Sequence, residues 1–139
     1  NWMRCQYMEE TMHAMKFFNY LNERGGRAER QPIEGPDTSW GSYKEAFEAV
    51  VKHEEYISGR INKLVTLARK LEDYASESFL MWYVDEQVEE EDSANEILTL
   101  VKRIKQDSNA LFMVDKQLAA RALSPAAVPT ILAQPAPQA

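Results

Sequence analysis

Near the start of the chain, Glu9-Glu10-Thr11-Met12-His13 places two carboxylates and an imidazole within one short stretch. On a helix, residues three apart share a face, so Glu10 and His13 project together. A carboxylate oxygen beside an imidazole nitrogen suits iron, zinc or manganese. Glu-x-x-His alone is a short pattern that solvated helices also carry, so its setting matters. Met3, Tyr7, Ala14, Phe17 and Leu21 follow a heptad-like spacing with one gap, and Glu10 fills the gap. A carboxylate in a buried seam is costly unless something positive neutralises it.

The same interruption recurs twice. The run Phe47, Val50, Ile57, Ile61, Leu64, Ala68, Leu71 has helical spacing, and Glu54 is its one polar position. Lys52 and Glu55 fit a solvated face, and His53, about 100° round the helix from Glu54, reads as a packed or surface residue, not a ligand. Further on, Leu80, Tyr83, Ala94, Ile97, Val101 and Ile104 enclose Gln87 and Glu90. Glu86 shares a face with Glu89 and Glu90, which makes a second, more exposed carboxylate cluster. Packed in register, the three segments would bring Glu10, Glu54 and Glu90 together, with His13 and Gln87 beside them. Several carboxylates stay ionised together in a low-dielectric core only around a cation. Inward Glu residues with Glu-x-x-His are the pattern of di-iron and di-manganese bundles, which use four helices. Here only three long ones are expected.

These positions require a particular scaffold. Helices are expected over about 1–23, 42–71 and 74–105, with a short one over 109–123, in one domain of residues 1–123. Gly25-Gly26 stops the first helix, and Ser42-Tyr43-Lys44-Glu45 reads as a capping box for the second. The polar connection between them is some 18 residues, able to span roughly 60 Å extended. A helix of about 29 residues is only some 43 Å long, so the connection can cross a bundle and start the second helix parallel to the first. The brief break at Glu72-Asp73, with Asp73 as N-cap, implies an antiparallel hairpin. Asp107 or Ser108 can cap the short helix, whose apolar side is Leu111, Val114, Leu118 and Ala122. Residues 124–139, with Pro125, Pro129, Pro135 and Pro137, read as a flexible Ala/Pro-rich tail. The chain opens at Asn1 inside a helical pattern, so a first segment is expected upstream.

Composition bounds the rest. The 139 residues are 45% hydrophobic and 27% charged, ordinary for a globular domain, with net charge −6. No basic run exists to grip phosphates, which argues against nucleic acid. No apolar run reaches the length of a bilayer span, so no membrane role is expected. The single Cys5 cannot form an internal disulfide and reads as a small packed helix residue, consistent with a reducing cytoplasm.

The order Glu-Glu-x-x-His, long crossover, Lys52-His53-Glu54, then Phe79-Leu80-Met81-Trp82-Tyr83-Val84-Asp85-Glu86-Gln87-Val88-Glu89-Glu90-Glu91 resembles the bacterial non-haem ferritins over about residues 2–122. The resemblance implies an all-α, ferritin-like four-helix bundle with a long crossover and a short fifth helix, the first bundle helix being absent from this chain. It implies iron as the metal, held as a di-iron centre that oxidises Fe(II) with dioxygen or peroxide, and a homo-oligomeric shell of 24 subunits storing ferric mineral. By resemblance Glu10 bridges two irons, His13 binds the first, and Glu54 and Glu90 hold the second with Gln87 close by. Glu9, Glu86 and Glu89, with Glu90, match an accessory third iron site. Haem-bearing bacterioferritins repeat Glu-x-x-His on the later helix, but Ser93 stands three residues after Glu90, which disfavours them and the rubrerythrins. Met8, Met12 and Met15 are read as packing residues, with no haem assigned. Two other functions compete with ferroxidation: a non-catalytic shell subunit, which would lack the buried ligands, and a di-metal bundle for peroxide detoxification without storage. Without its first helix, the ferroxidase would be impaired.

Overall fold

The computed structural model describes residues 1–104 and 108–123. They form four helices, α1 (Trp2–Glu23), α2 (Tyr43–Lys70), α3 (Tyr74–Ile104) and α4 (Ser108–Ala119), and no strand among the described residues. The expected tail 124–139, the end of the third helix at residue 105 and the cap at Asp107 lie outside the described residues. The chain forms two compact units: Asn1–Gly35 with the chain from Phe112 onward, and Pro36–Leu111.

In the second unit α2 and α3 pack as an antiparallel hairpin. Glu48 near the start of α2 pairs with Lys102 near the end of α3 at 3.7 Å. At the other end Arg69 reaches Glu77 at 2.6 Å. The seam is built by Phe47, Val51, Ile61, Val65 and Ala68 from α2 and Leu80, Tyr83, Ala94, Ile97, Leu98 and Val101 from α3. Expected seam residues Leu64 and Leu71 are exposed instead, and Val65 takes the inward position. Ser42 caps α2, its Oγ accepting from the Glu45 N–H at 3.2 Å. The Glu45 carboxylate returns to the Gly41 N–H at 2.9 Å, one residue before the usual partner of a capping box.

The tight joint is set by backbone chemistry. Asp73 N–H donates to the Ala68 carbonyl and Glu72 N–H to Arg69, the two bonds of a Schellman motif. That motif needs a left-handed residue, and Glu72 supplies it with φ 55°. Asp73 then caps α3, its carboxylate accepting from the Ser76 N–H at 3.1 Å and the Ser76 hydroxyl at 2.6 Å. The same motif ends α1, where Gly25 (φ 75°) takes the left-handed place at no steric cost.

In the first unit α1 turns a different face inward from the one its apolar spacing suggests. Trp2, Cys5, Gln6, Glu9 and Met12 are buried, while Met3, Tyr7 and Leu21 are exposed. Part of that face meets the far end of the chain. The carbonyls of Ala119 and Arg121 accept from Asn1 Nδ2 at 2.9 and 2.6 Å. Cys5 Sγ lies 3.6 Å from the Arg121 carbonyl, and the Arg121 guanidinium sits 4.9 Å over the Trp2 ring. α4 ends at Ala119, short of the expected 123, and Ala119 and Arg121, at and beyond its end, make these contacts. Within α4 Val114 is buried and Ala122, beyond it, is exposed.

Candidate metal centre

On α1, Glu10 and His13 stand one turn apart as their spacing requires, with Glu10 Oε2 3.5 Å from His13 Nδ1. The imidazole is nearly covered, at 12% exposure, and the carboxylate is 44% exposed. Glu10 therefore lies at the edge of the buried stripe. The residue inside it is the neighbouring Glu9, 6% exposed. Glu9 Oε2 accepts from Arg121 Nη2 at 2.6 Å, and the other guanidinium arm donates to Gln6 Oε1. A fixed guanidinium is the compensation that a buried carboxylate demands.

In the α2–α3 hairpin, Glu54, Gln87 and Glu90 are all buried, at 4%, 7% and 6% exposure. Each sits in a stripe of otherwise apolar residues spaced three and four apart, so helix periodicity alone carries the polar groups inward. Gln87 Nε2 lies 3.4 Å from Glu54 Oε2, 3.3 Å from the Glu54 carbonyl and 3.3 Å from Ser58 Oγ. Ser58 in turn donates to Glu91 Oε1. His53, exposed at 61%, brings Nδ1 to 3.7 Å from Glu54 Oε1. Glu86 is half-buried and Glu89 exposed on α3.

Directly before this polar stretch lies an aromatic cluster. Tyr83 packs edge-on against Trp82 at 4.8 Å between ring centroids, and against Phe79 at 5.5 Å. Desolvation by burial pushes the Tyr83 phenol well above its ordinary value.

The chemistry of these groups is that of hard-cation binding. Carboxylate and amide oxygens and one imidazole are the donors that suit divalent iron, manganese or zinc. Three participants carry no signal in the seam pattern taken alone. Ser58 stands one turn after Glu54 and Glu91 one turn after Gln87, so both could be found by extending the polar stripe. Arg121 lies beyond α4 with no periodicity to mark it.

A family model for the ferritin-like domain matches residues 1–104. The bacterial non-heme ferritin of Staphylococcus aureus (strain USA300) is 39% identical over 121 residues, covering 87% of this chain and 73% of its own length. The Staphylococcus haemolyticus (strain JCSC1435) counterpart is 40% identical over 116 residues, covering 84% and 70%. An open pore ferritin from the hyperthermophilic archaeon Archaeoglobus fulgidus is 47% identical with a TM-score of 0.87, over 88% of this chain and 75% of that one. A humanized archaeal ferritin matches with 47% identity and a TM-score of 0.88, over 90% and 76%. With the family model running from the first residue to the end of α3, the chain belongs to the ferritin family.

Proposed function

We propose that this protein stores iron and oxidises it on entry, with Glu10, His13, Glu54, Gln87 and Glu90 forming a ferroxidase centre for two Fe(II) ions. The observation that carries the reading is the buried Glu54, Gln87 and Glu90 in an apolar hairpin, in a chain of the ferritin family. Iron is the substrate. Carboxylates are hard ligands that hold ferric iron better than ferrous, so a site built on them lowers the cost of oxidation. Two irons side by side each give one electron to a two-electron reduction of dioxygen or peroxide. Glu10 bridges the two ions, His13 adds a nitrogen ligand to the first, and Glu54 and Glu90 hold the second. A site with one imidazole among oxygen donors releases its product toward a mineral.

Glu9, Glu86, Glu89 and Glu90 form the accessory site through which a third iron passes. The assembly is a homo-oligomeric shell, of 24 subunits in this reading, working in the cytoplasm. The test is stopped-flow mixing of the natural protein with increasing Fe(II) in air. A fast ferric absorbance that saturates near about two irons per chain and disappears in Glu10→Ala is expected. Oxidation no faster than in buffer would refute the ferroxidase reading and leave a passive store.

A further inference from the structure

We propose that Ser58 and Glu91 are positioning residues that fix which atom Gln87 offers to a cation. The argument starts from hydrogen-bond inventory. A carboxylate only accepts, so Glu91 must take the single Ser58 hydroxyl proton. Ser58 Oγ then has only lone pairs left, and it faces the Gln87 amide at 3.3 Å. The other two atoms facing that end of Gln87, the Glu54 carbonyl and Glu54 Oε2, are acceptors as well. Three acceptors leave one solution: the amide nitrogen lies toward them and donates.

Turning the amide over would set its oxygen against three other oxygens, with no proton between any of them. The Gln87 oxygen is therefore the end directed away from Glu54 and Ser58. That is the end a cation, or a water held by one, can use, because an N–H would repel it. Without the Glu91 acceptor, Ser58 could donate its proton to the oxygen of a reversed amide and so offset the opposition of the two Glu54 oxygens. Glu91 thus acts through Ser58, and Ser58 through Gln87, with neither touching metal. The inference rests on the proposed metal role of Gln87 for its consequence, but the amide orientation stands on the hairpin alone.

Two measurements test it. In the full chain labelled with [15N]glutamine, the Gln87 side-chain signal, assigned by its loss in Gln87→Glu, should be shifted and slow to exchange with solvent. Ser58→Ala removes one of the three acceptors and leaves the two Glu54 oxygens, so it should move the signal part of the way toward the free-amide position and speed exchange, and Ser58→Thr should restore it. An unchanged Gln87 signal in Ser58→Ala would overturn the proposal. The second arm titrates Co(II) without oxygen. Ser58→Ala should weaken binding by about tenfold, the low end for a residue that orients a ligand. In the Gln87→Glu background the same change should have less than about a twofold effect, since a carboxylate offers an oxygen either way round. Equal weakening in both backgrounds would overturn the proposal, because it would mean general loosening of the hairpin. An ordered Gln87 amide in a protein that binds no Co(II) would uphold the orientation and sink the metal reading instead.

Discussion

Replacing Arg121 by Ala should destabilise the first unit severely, although Arg121 belongs to no regular element. Its side chain is 21% exposed and the side chain of its partner Glu9 only 8%. Removing one member of a buried pair leaves the other charge buried and costs about 3–5 kcal/mol. The partial exposure of Arg121 lets water reach the site, which argues for the low end. Loss of the cation–π contact with Trp2 adds about 1 kcal/mol, so a total of about 4 kcal/mol is expected. With a urea slope of about 2 kcal/mol/M, the unfolding midpoint should fall by about 2 M. Urea titrations followed by circular dichroism and by tryptophan fluorescence measure this, Trp2 being a local reporter. Glu9→Ala in the Arg121→Ala background should recover part of the loss, because the stranded charge is gone. The pair should therefore be non-additive by more than about 1 kcal/mol. A shift below about 0.5 kcal/mol in Arg121→Ala, or strict additivity with Glu9→Ala, would refute the claim that these residues compensate one another.

Other perturbations separate local effects. Glu72→Gly should stabilise the α2–α3 joint by about 1 kcal/mol, since an L-residue in the left-handed region carries roughly that strain; a melting temperature that does not rise would mean that the Glu72 side chain contributes elsewhere. Ser42→Ala should cost about 1 kcal/mol by removing the N-cap acceptor, read from thermal melts beside Ser42→Asp, which should retain most of the stability. Tyr83 gives a pH dependence. Burial raises its folded-state pKa above the ordinary tyrosine value of about 10, so above that pH the folded chain keeps a proton the unfolded chain has lost. Its contribution is complete below pH 10 and is lost as pH rises beyond it. Tyr83→Phe should flatten the alkaline fall in stability measured by urea titration, and an identical fall in both proteins would exclude Tyr83 as its source.

Much of α2 and α3 was legible because a two-helix hairpin states its own seam. Polar residues at Glu54, Gln87 and Glu90 fall on the apolar period, and the structure buries all three. α1 was less legible. Its large apolar residues alternate between two faces, and the one turned inward meets residues 119–121, more than a hundred positions away. Periodicity ranks faces by their own hydrophobicity and has no access to what covers them. Glu10 therefore looked like the buried carboxylate, whereas Glu9 occupies that place with Arg121 as its counter-charge. The exposed Leu64 and Leu71 reflect the same limit, because a stripe with spare apolar residues does not say which will face inward.

Glu54 and Glu9, both buried, are held in chemically different ways, and that difference bears on the order in which metal would load. Gln87 donates to Glu54 through a neutral amide, a bond that an incoming cation can supplement or replace at little electrostatic cost. Glu9 faces a guanidinium at 2.6 Å, whose permanent charge already occupies the place a cation would take. In the proposed accessory site, metal reaches Glu9 only as Arg121 leaves, so that site should fill last. Arg121→Gln keeps a donor beside Glu9 and removes the competing charge. In an anaerobic Co(II) titration its weakest-binding equivalent should tighten by about tenfold, equivalent to about 1.4 kcal/mol. The tighter equivalents, which the proposed function assigns to Glu10, His13, Glu54 and Glu90, should keep their affinity. If the weakest equivalent is unchanged while the variant remains folded by circular dichroism, Glu9 takes no metal, and its carboxylate serves only to hold the end of the chain against α1.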